Sequence, residues 1–175
     1  MPESICFCGH KLIDVNKLKY PILIKIEGVH AGNGKALIQN KEELKEALNL
    51  LISESKNNIL QEYLDVIRDY RVLVLKDNVI DSVIRKSENW KKNTSSEPEP
   101  VHFKIPELER LSIKAARCLG LDLAGVDVLE TPDGYFVIEV NPEPGIEYFG
   151  DKAYKAVVDY IVENEKRQKI HQEAC

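Results

Sequence analysis

The segment "FVIEVNPEPG" (residues 136–145) ends an apolar run with two oxygen-bearing side chains, Glu139 and Asn141. Upstream, "LAGVDVLE" places Asp127 in a second apolar run. Between them "TPDGY" has Pro132 and Asp133 suited to a type I turn and Gly134 suited to a left-handed position, which predicts a three-residue hairpin loop with a bulge. Thr131 then pairs with Tyr135, Leu129 with Val137, Asp127 with Glu139 and Gly125 with Asn141. Asp127, Glu139 and Asn141 share one face on this reading, and Val126, Val128, Phe136, Ile138 and Val140 form the opposite, core face. Two facing carboxylates repel unless one takes a proton or a cation lies between them. An all-oxygen set of Asp, Glu and Asn suits Mg²⁺, or Mn²⁺ in its place, better than zinc. A solvated strand face that happens to carry an acidic pair is the alternative for the trio taken alone.

A second candidate lies near the start. "YPILIKIEG" alternates Ile22, Ile24 and Ile26 against Leu23, Lys25 and Glu27, the period of a half-buried strand with Lys25 directed away from the isoleucines. "GVHAGNGKA" follows, and Gly28, Gly32 and Gly34 leave backbone amides free to turn toward phosphate oxygens. It is not a Walker loop, because Gly28 and Gly34 enclose five residues and Ala36 follows Lys35. It is not the dinucleotide fingerprint either, since Leu37 stands where the third glycine belongs. A plain flexible turn is the bland reading. Lys25 ahead of a glycine lid, with a dication site on a later hairpin, supplies the parts that hold a triphosphate.

These groups need elements to position them. Residues 21–39 read as a hairpin. "NKEELKEALNLLISES" is a helix with Asn40 as N-cap and Leu44, Ala47, Leu48 and Leu51 facing that hairpin. "NILQEYL" is a strand, and "YRVLVLKDNVIDSVIR" is a hairpin turning at Asp77-Asn78. Residues 86–104 lack a period and form a loop. "PELERLSIKAARCLGL" is a helix from Pro106, with Leu108, Leu111, Ala115 and Leu119 on its buried side, stopped by Gly120. A C-terminal helix runs from 151 to about 170.

The bulk composition narrows the class. The 175 residues, 43% hydrophobic and 30% charged, can bury a core as one domain or as one domain of two lobes. A net charge of −5 without a basic stripe argues against nucleic acid. Four cysteines, no secretory leader and no apolar run near about 18 residues fit a reducing cytoplasm and no membrane span. Cys6, Cys8 and His10 would share a strand face, but their spacing is wrong for zinc and points to packing.

In this order, "PILIKIEG", "LQEYL", "DYRVLVL", "SIKAARCLGL", "LAGVDVL" and "VIEVNPEPGIE" resemble the ATP-grasp superfamily, within it the RimK-like ribosomal-protein glutamate ligase type, over nearly the whole chain. The resemblance implies an α+β ATP-grasp fold, two α+β lobes with antiparallel sheets that clasp ATP. Residues 1–60 would form the small lobe with the lid, and 61–175 the large lobe with the metal-binding hairpin. Lys25, with the lid residues Gly28, Gly32, Gly34 and Lys35, would contact the nucleotide. Gln61, Glu62, Tyr63 and Leu64 would read the adenine edge, with Asp69 near the ribose. Arg85 would stabilise the transferring phosphoryl group, and Asp127, Glu139 and Asn141 would hold Mg²⁺. The implied reaction joins a carboxylate to an amine with ATP through an acyl phosphate, on small molecules or on a protein acceptor.

Locally "ENWKKNTSS" and "HAGNGK" resemble the synapsins, which implies the alternative of a regulatory module that binds ATP without ligation. Two departures from the ligase pattern stand out. The sequence starts already in the first strand region, and the N-terminal domain usual in the family is expected to be missing through truncation or because another chain provides it. This leads to the expectation of a homo-oligomer or a partner chain covering the face so exposed. In the substrate loop, Asn93 is followed by "TSSEPEP" where related ligases carry Arg-Gly-Gly, and Trp90 reads as a packing residue.

Overall fold

The computed structural model describes residues 1–8, 18–26, 34–51, 57–85, 98–101 and 103–173. They divide into two units, one over Met1–Ile67 and one from Arg68 onward. The expected boundary after residue 60 moves because Gln61 and Glu62 are the end of a strand in the first unit's sheet.

The first unit holds strands β1 (Ser4–Cys8), β2 (Ile22–Ile26), β3 (Lys35–Ile38) and β4 (Asn57–Glu62), with helix α1 (Lys41–Leu51) between β3 and β4. The sheet is antiparallel in the order β1-β4-β2-β3. Ile22, Ile24, Ile38 and Leu60 pack with Phe7 and Leu18 beneath Leu44 of α1, with Ala47 and Leu48 at the margin. The expected helix thus covers the expected hairpin, although Leu51's side chain lies outside the described residues. α1 begins as Asn40 predicts. The Glu43 N–H donates to Asn40 Oδ1 at 2.9 Å, while the Glu43 carboxylate accepts from the Gln39 N–H and from Asn40 Nδ2. Cys6 is exposed rather than packed, because it sits on edge strand β1. Cys8's side chain and His10 lie outside the described residues.

The second unit holds β5 (Arg68–Leu75), β6 (Asn78–Ile84), β7 (Glu99–Pro100), β8 (Leu123–Thr131) and β9 (Gly134–Asn141), with α2 (Pro106–Cys118) and α3 (Asp151–Glu173). Its antiparallel sheet has the order β7-β6-β5-β8-β9. Tyr70, Val72, Val74, Ala124, Val126, Val128 and Val137 present one apolar face to Leu108 and Ala116 of α2. Each of the larger aliphatic side chains contributes about 1.5–3 kcal/mol by leaving water. α2 ends in a Schellman motif, with the Gly120 N–H on the Arg117 carbonyl and the Leu121 N–H on that of Ala116, and Gly120 at φ 68°. Leu119 is therefore the cap and not the last buried turn, and it is 60% exposed.

Two turns differ from expectation. β5 and β6 close on Leu75↔Asn78, so the loop is Lys76-Asp77. Lys76 takes φ 54° while its ammonium lies 4.7 Å from the Tyr160 ring centroid on α3. β8 and β9 close on Thr131↔Gly134. The Thr131 hydroxyl accepts from the Asp133 N–H and donates to the Gly134 carbonyl, which draws the closing pair one residue inward. Val128 thus meets Val137 and Leu129 meets Phe136. The register then shifts between Asp127 and Val128, leaving Ile138 as an extra residue. This bulge explains why Tyr135 and Val137, not Phe136 and Ile138, join the core with Val140. It also returns Asp127 opposite Glu139 and Gly125 opposite Asn141, the pairs expected from sequence. In the expected loop 86–104, β7 pairs Glu99 and Pro100 with β6, while 86–97 and 102 lie outside the described residues.

Candidate nucleotide and metal site

Away from α2, the second sheet carries polar groups on neighbouring strands. Arg71 of β5 stands opposite Asp127 of β8, which stands opposite Glu139 of β9. Asp69 lies two residues before Arg71 on the same face, and Arg85 follows β6, its N–H bonded to the Asp69 carbonyl at 2.8 Å. Leu73 and Val83 pack under Phe149, of the 3-10 turn Ile146–Phe149, and under Ala153 of α3, which walls one side of the polar patch.

Both oxygens of Asp127 are bound by guanidinium groups. Arg71 Nη1 donates to Oδ1 at 2.5 Å and Arg85 Nη1 to Oδ2 at 3.1 Å. Arg85 also donates from Nη2 and Nε to Asp69 Oδ1, at 2.6 and 3.2 Å. Arg71 sends Nη2 and Nε to the Pro144 carbonyl at 2.9 and 3.3 Å, joining β8 to the loop after β9. Asp127 and Asp69 are 3% and 2% exposed, a burial that unpaired carboxylates could not sustain. Burial works against the charge of Arg85. The carboxylates of Asp127 and Asp69 outweigh it, so the pKa of Arg85 lies above the ordinary arginine value.

Gly125 makes room for this arrangement. A Cβ there would come within 2.7 Å of Nε, Cζ and Nη2 of Arg71, so the guanidinium lies flat against bare backbone. Glu139 is exposed and Asn141 half-buried, at the open end of the row. Among the described residues no group of three or more His, Cys, Asp or Glu side chains is arranged as a metal cage. The proposed oxygen set instead consists of Asp127, Glu139 and the Asn141 amide. An all-oxygen set of this kind has the donor chemistry of a hard dication, while in this structure the charge of Asp127 is balanced by the two guanidinium groups.

In the first unit, Lys25 Nζ donates to Gln61 Oε1 at 2.6 Å, and Gln61 Nε2 donates to Ser4 Oγ at 3.0 Å. Lys25 stands directly opposite Lys35, so two ammonium-bearing stems share one face. Gly34, at φ 65°, precedes Lys35, and its carbonyl accepts the Ile26 N–H at 2.9 Å. Glu62 and Tyr63, expected at an adenine edge, have their N–H groups engaged by the Glu3 and Pro21 carbonyls. Leu64 follows them beyond the strand end. Gly28, Gly32 and Asn93 lie outside the described residues.

Sequence reasoning brought Asp127, Glu139 and Asn141 together correctly but missed Arg71. Its signal was available, since Arg71 interrupts the apolar run "DYRVLVL" and shares strand parity with Asp69.

Comparison with known proteins gives the family and the fold. The RimK-like ATP-grasp domain pattern matches residues 8–163. The chain belongs to the RimK-like ATP-grasp family. It is 32% identical over 161 residues to the coenzyme gamma-F420-2:alpha-L-glutamate ligase of Methanocaldococcus jannaschii, covering 87% of this chain and 55% of that one. The D-alanine–D-alanine ligase of Bacillus anthracis superposes with a TM-score of 0.68 at 14% identity, over 98% of this chain and 64% of that one. A RimK domain ATP-grasp protein from Sphaerobacter thermophilus gives 0.64 at 20% identity, over 87% and 58%. These likenesses establish the ATP-grasp fold, α+β with antiparallel sheets. The chain spans about half the length of the relatives it matches. No described helix is long and apolar enough to cross a membrane.

Proposed function

We propose that this chain is the ATP-binding part of an ATP-dependent carboxylate–amine ligase of the glutamate-ligase type. The observation that carries the reading is the row Arg71, Asp127, Glu139 on adjacent strands, with Asn141 two residues further along β9, in a chain of RimK-like family. A carboxylate is a poor electrophile until one oxygen becomes a leaving group. Its attack on the γ-phosphorus of ATP, with departure of ADP, gives an acyl phosphate. An amine then attacks the acyl carbon, phosphate leaves, and the nitrogen gives up a proton as the amide forms. Mg²⁺, or Mn²⁺, held by Asp127, Glu139 and Asn141 would neutralise phosphate charge as the anionic carboxylate approaches.

The remaining roles fall to cationic side chains. Lys25 and Lys35 hold phosphate oxygens. Arg85, anchored to Asp69, turns its guanidinium to the transferring phosphoryl group. Gln61 through Leu64 flank the adenine and Asp69 the ribose. Gly28, Gly32 and Gly34 line the phosphates, and Asn93 belongs to the acceptor loop. The acceptor is a small molecule or a protein chain. The exposed free thiols of Cys6 and Cys118 suit a reducing cytoplasm.

The test is titration calorimetry of ATP with and without Mg²⁺ on wild type and Asp127→Asn, followed by product analysis with glutamate as amine donor. Loss of the Mg²⁺-dependent part in the variant, and ADP formed in proportion to new amide, are expected; equal metal dependence in both proteins removes the assigned role of Asp127. The "TSSEPEP" after Asn93, in place of Arg-Gly-Gly, favours a second reading, a synapsin-type module. Tight ATP binding with no turnover over a panel of carboxylates and amines would select it.

A further inference from the structure

We propose that Arg71 is the positioning residue of the dication site. It holds Asp127 by Oδ1, leaving Oδ2 as the oxygen that would serve a dication, and it ties that carboxylate to the segment carrying Asn141. The inference rests on the reading of Asp127 as a metal ligand.

The two arginines on Asp127 are not equivalent. The Arg71 side chain is 9% exposed and that of Arg85 22%. Arg85 reaches Asp127 at 3.1 Å but Asp69 at 2.6 Å, so it keeps its shorter pair if it releases Oδ2. Among the described residues Arg71 has no such second carboxylate partner. Its other acceptor is the Pro144 carbonyl, and its guanidinium plane rests on Gly125. Withdrawing it from Asp127 would leave a buried charge against backbone, a far larger penalty than opening the Arg85 contact. Of the two oxygens, Oδ2 is therefore the one that Arg85 could release to serve a dication, while Arg71 keeps Oδ1 fixed.

The Pro144 contact gives the second half of the role. Asn141 ends β9, and Pro144 is buried three positions later in the same "NPEPG" segment. One planar guanidinium thus spans a proposed ligand on β8 and the loop after the proposed ligand on β9. Lysine cannot reproduce this, because a single ammonium lacks the fork that serves a carboxylate and a carbonyl along two edges. Partners that orient metal ligands in this way typically change metal affinity by about 10- to 100-fold when removed.

The experiment is an electron paramagnetic resonance titration of Mn²⁺ on the full chain with a non-hydrolysable ATP analogue present. It compares wild type, Arg71→Met, Arg71→Lys, Gly125→Ala and Asp127→Asn, with folding checked by circular dichroism. Arg71→Lys and Arg71→Met are expected to bind Mn²⁺ about 10- to 100-fold more weakly, with analogue affinity in the absence of dication unchanged. Gly125→Ala should shift in the same direction while keeping the arginine. A purely structural Arg71 would lower the melting temperature and leave Mn²⁺ affinity of the folded protein alone. Wild-type Mn²⁺ affinity in folded Arg71→Lys, with Asp127→Asn defective, overturns the positioning role and leaves the ligand reading intact. Wild-type affinity in Asp127→Asn as well overturns both. An equal loss of analogue affinity with and without dication also overturns it, by showing that Arg71 shapes the nucleotide site in general. If Arg71→Met does not fold, Arg71→Lys and Gly125→Ala decide the matter.

Discussion

Gly125→Ala isolates the packing of one guanidinium against one strand. Gly125 lies in β8 outside the left-handed region of φ, so the backbone admits any residue. Alanine at such a site ordinarily stabilises by about 0.4–1 kcal/mol, by narrowing the unfolded ensemble. The structure reverses that sign. The new methyl would sit 2.7 Å from Nε, Cζ and Nη2 of Arg71, about 0.7 Å short of ordinary contact at 3.4 Å. Arg71 must retreat by about that much, and its Nε bond to the Pro144 carbonyl, already 3.3 Å, is the first to break. A hydrogen bond to a charged group contributes about 1.5–3 kcal/mol, so after the alanine gain the net loss should be about 0.5–2.6 kcal/mol. For a chain of this size the melting temperature then falls by about 1–10 °C. The assay is scanning calorimetry of Gly125→Ala in the wild-type and Arg71→Met backgrounds. If the guanidinium is the obstacle, the destabilisation largely disappears when Met replaces it, and the coupling energy accounts for the effect. A Gly125→Ala protein as stable as wild type, or equally destabilised in both backgrounds, refutes the reasoning.

Two further predictions concern stability. Asn40→Ala removes the side chain that caps α1 and frees Glu43 from its reciprocal bond, so chemical denaturation should report a loss of about 1 kcal/mol, and Asn40→Asp should restore most of it. Tyr70 is held protonated by burial and by its 2.9 Å bond to the Glu130 carboxylate, with its pKa pushed up to about 12 from 10.0. The folded value lies above the unfolded one, so this contribution is complete below about pH 10 and is lost as pH rises through about 12. Tyr70→Phe should flatten the alkaline decline of the denaturation midpoint between those limits, and an unchanged slope would contradict the assignment.

What could be read from sequence, and what could not, follows from the range of the interactions. The α1 cap, the Pro106 start and Gly120 stop of α2, and the existence of each hairpin depend on neighbours a few residues apart, and these expectations hold. The turn centres did not, because each is set by a contact outside the turn or by a side chain within it. Lys76 is drawn into place beside Tyr160, and Thr131 clasps Asp133 and Gly134. Counting outward from Pro132–Gly134 placed Asp127 opposite Glu139 correctly although the closing pair was misplaced by one residue. The bulge at Ile138 cancels that offset, and it is invisible to a count that assumes unbroken alternation. The same assumption put Phe136 and Ile138 in the core in place of Tyr135 and Val137.

Arg71 shows why a site can be half legible. From β8 and β9 alone, Asp127 and Glu139 form an acidic pair that calls for a positive charge, and a dication is the natural answer. The pairing of β5 with β8 adds a protein cation that no reading of one hairpin contains, since Arg71 and Asp127 are far apart in the chain yet directly opposite in the sheet. That cation alters what the acidic pair implies. A buried Asp127 with guanidinium groups on both oxygens is already neutralised, so electrostatic need by itself no longer demands a metal. What leaves room for a dication is the asymmetry of the two partners. One is locked by Gly125 and Pro144, whereas the other is shared with Asp69 and more exposed, and only the second can be exchanged without stranding a charge. A nucleotide phosphate that attracts Arg85 would vacate Oδ2 as it brings its own dication, so metal and nucleotide binding should be coupled through that single guanidinium, each strengthening the other by the same factor.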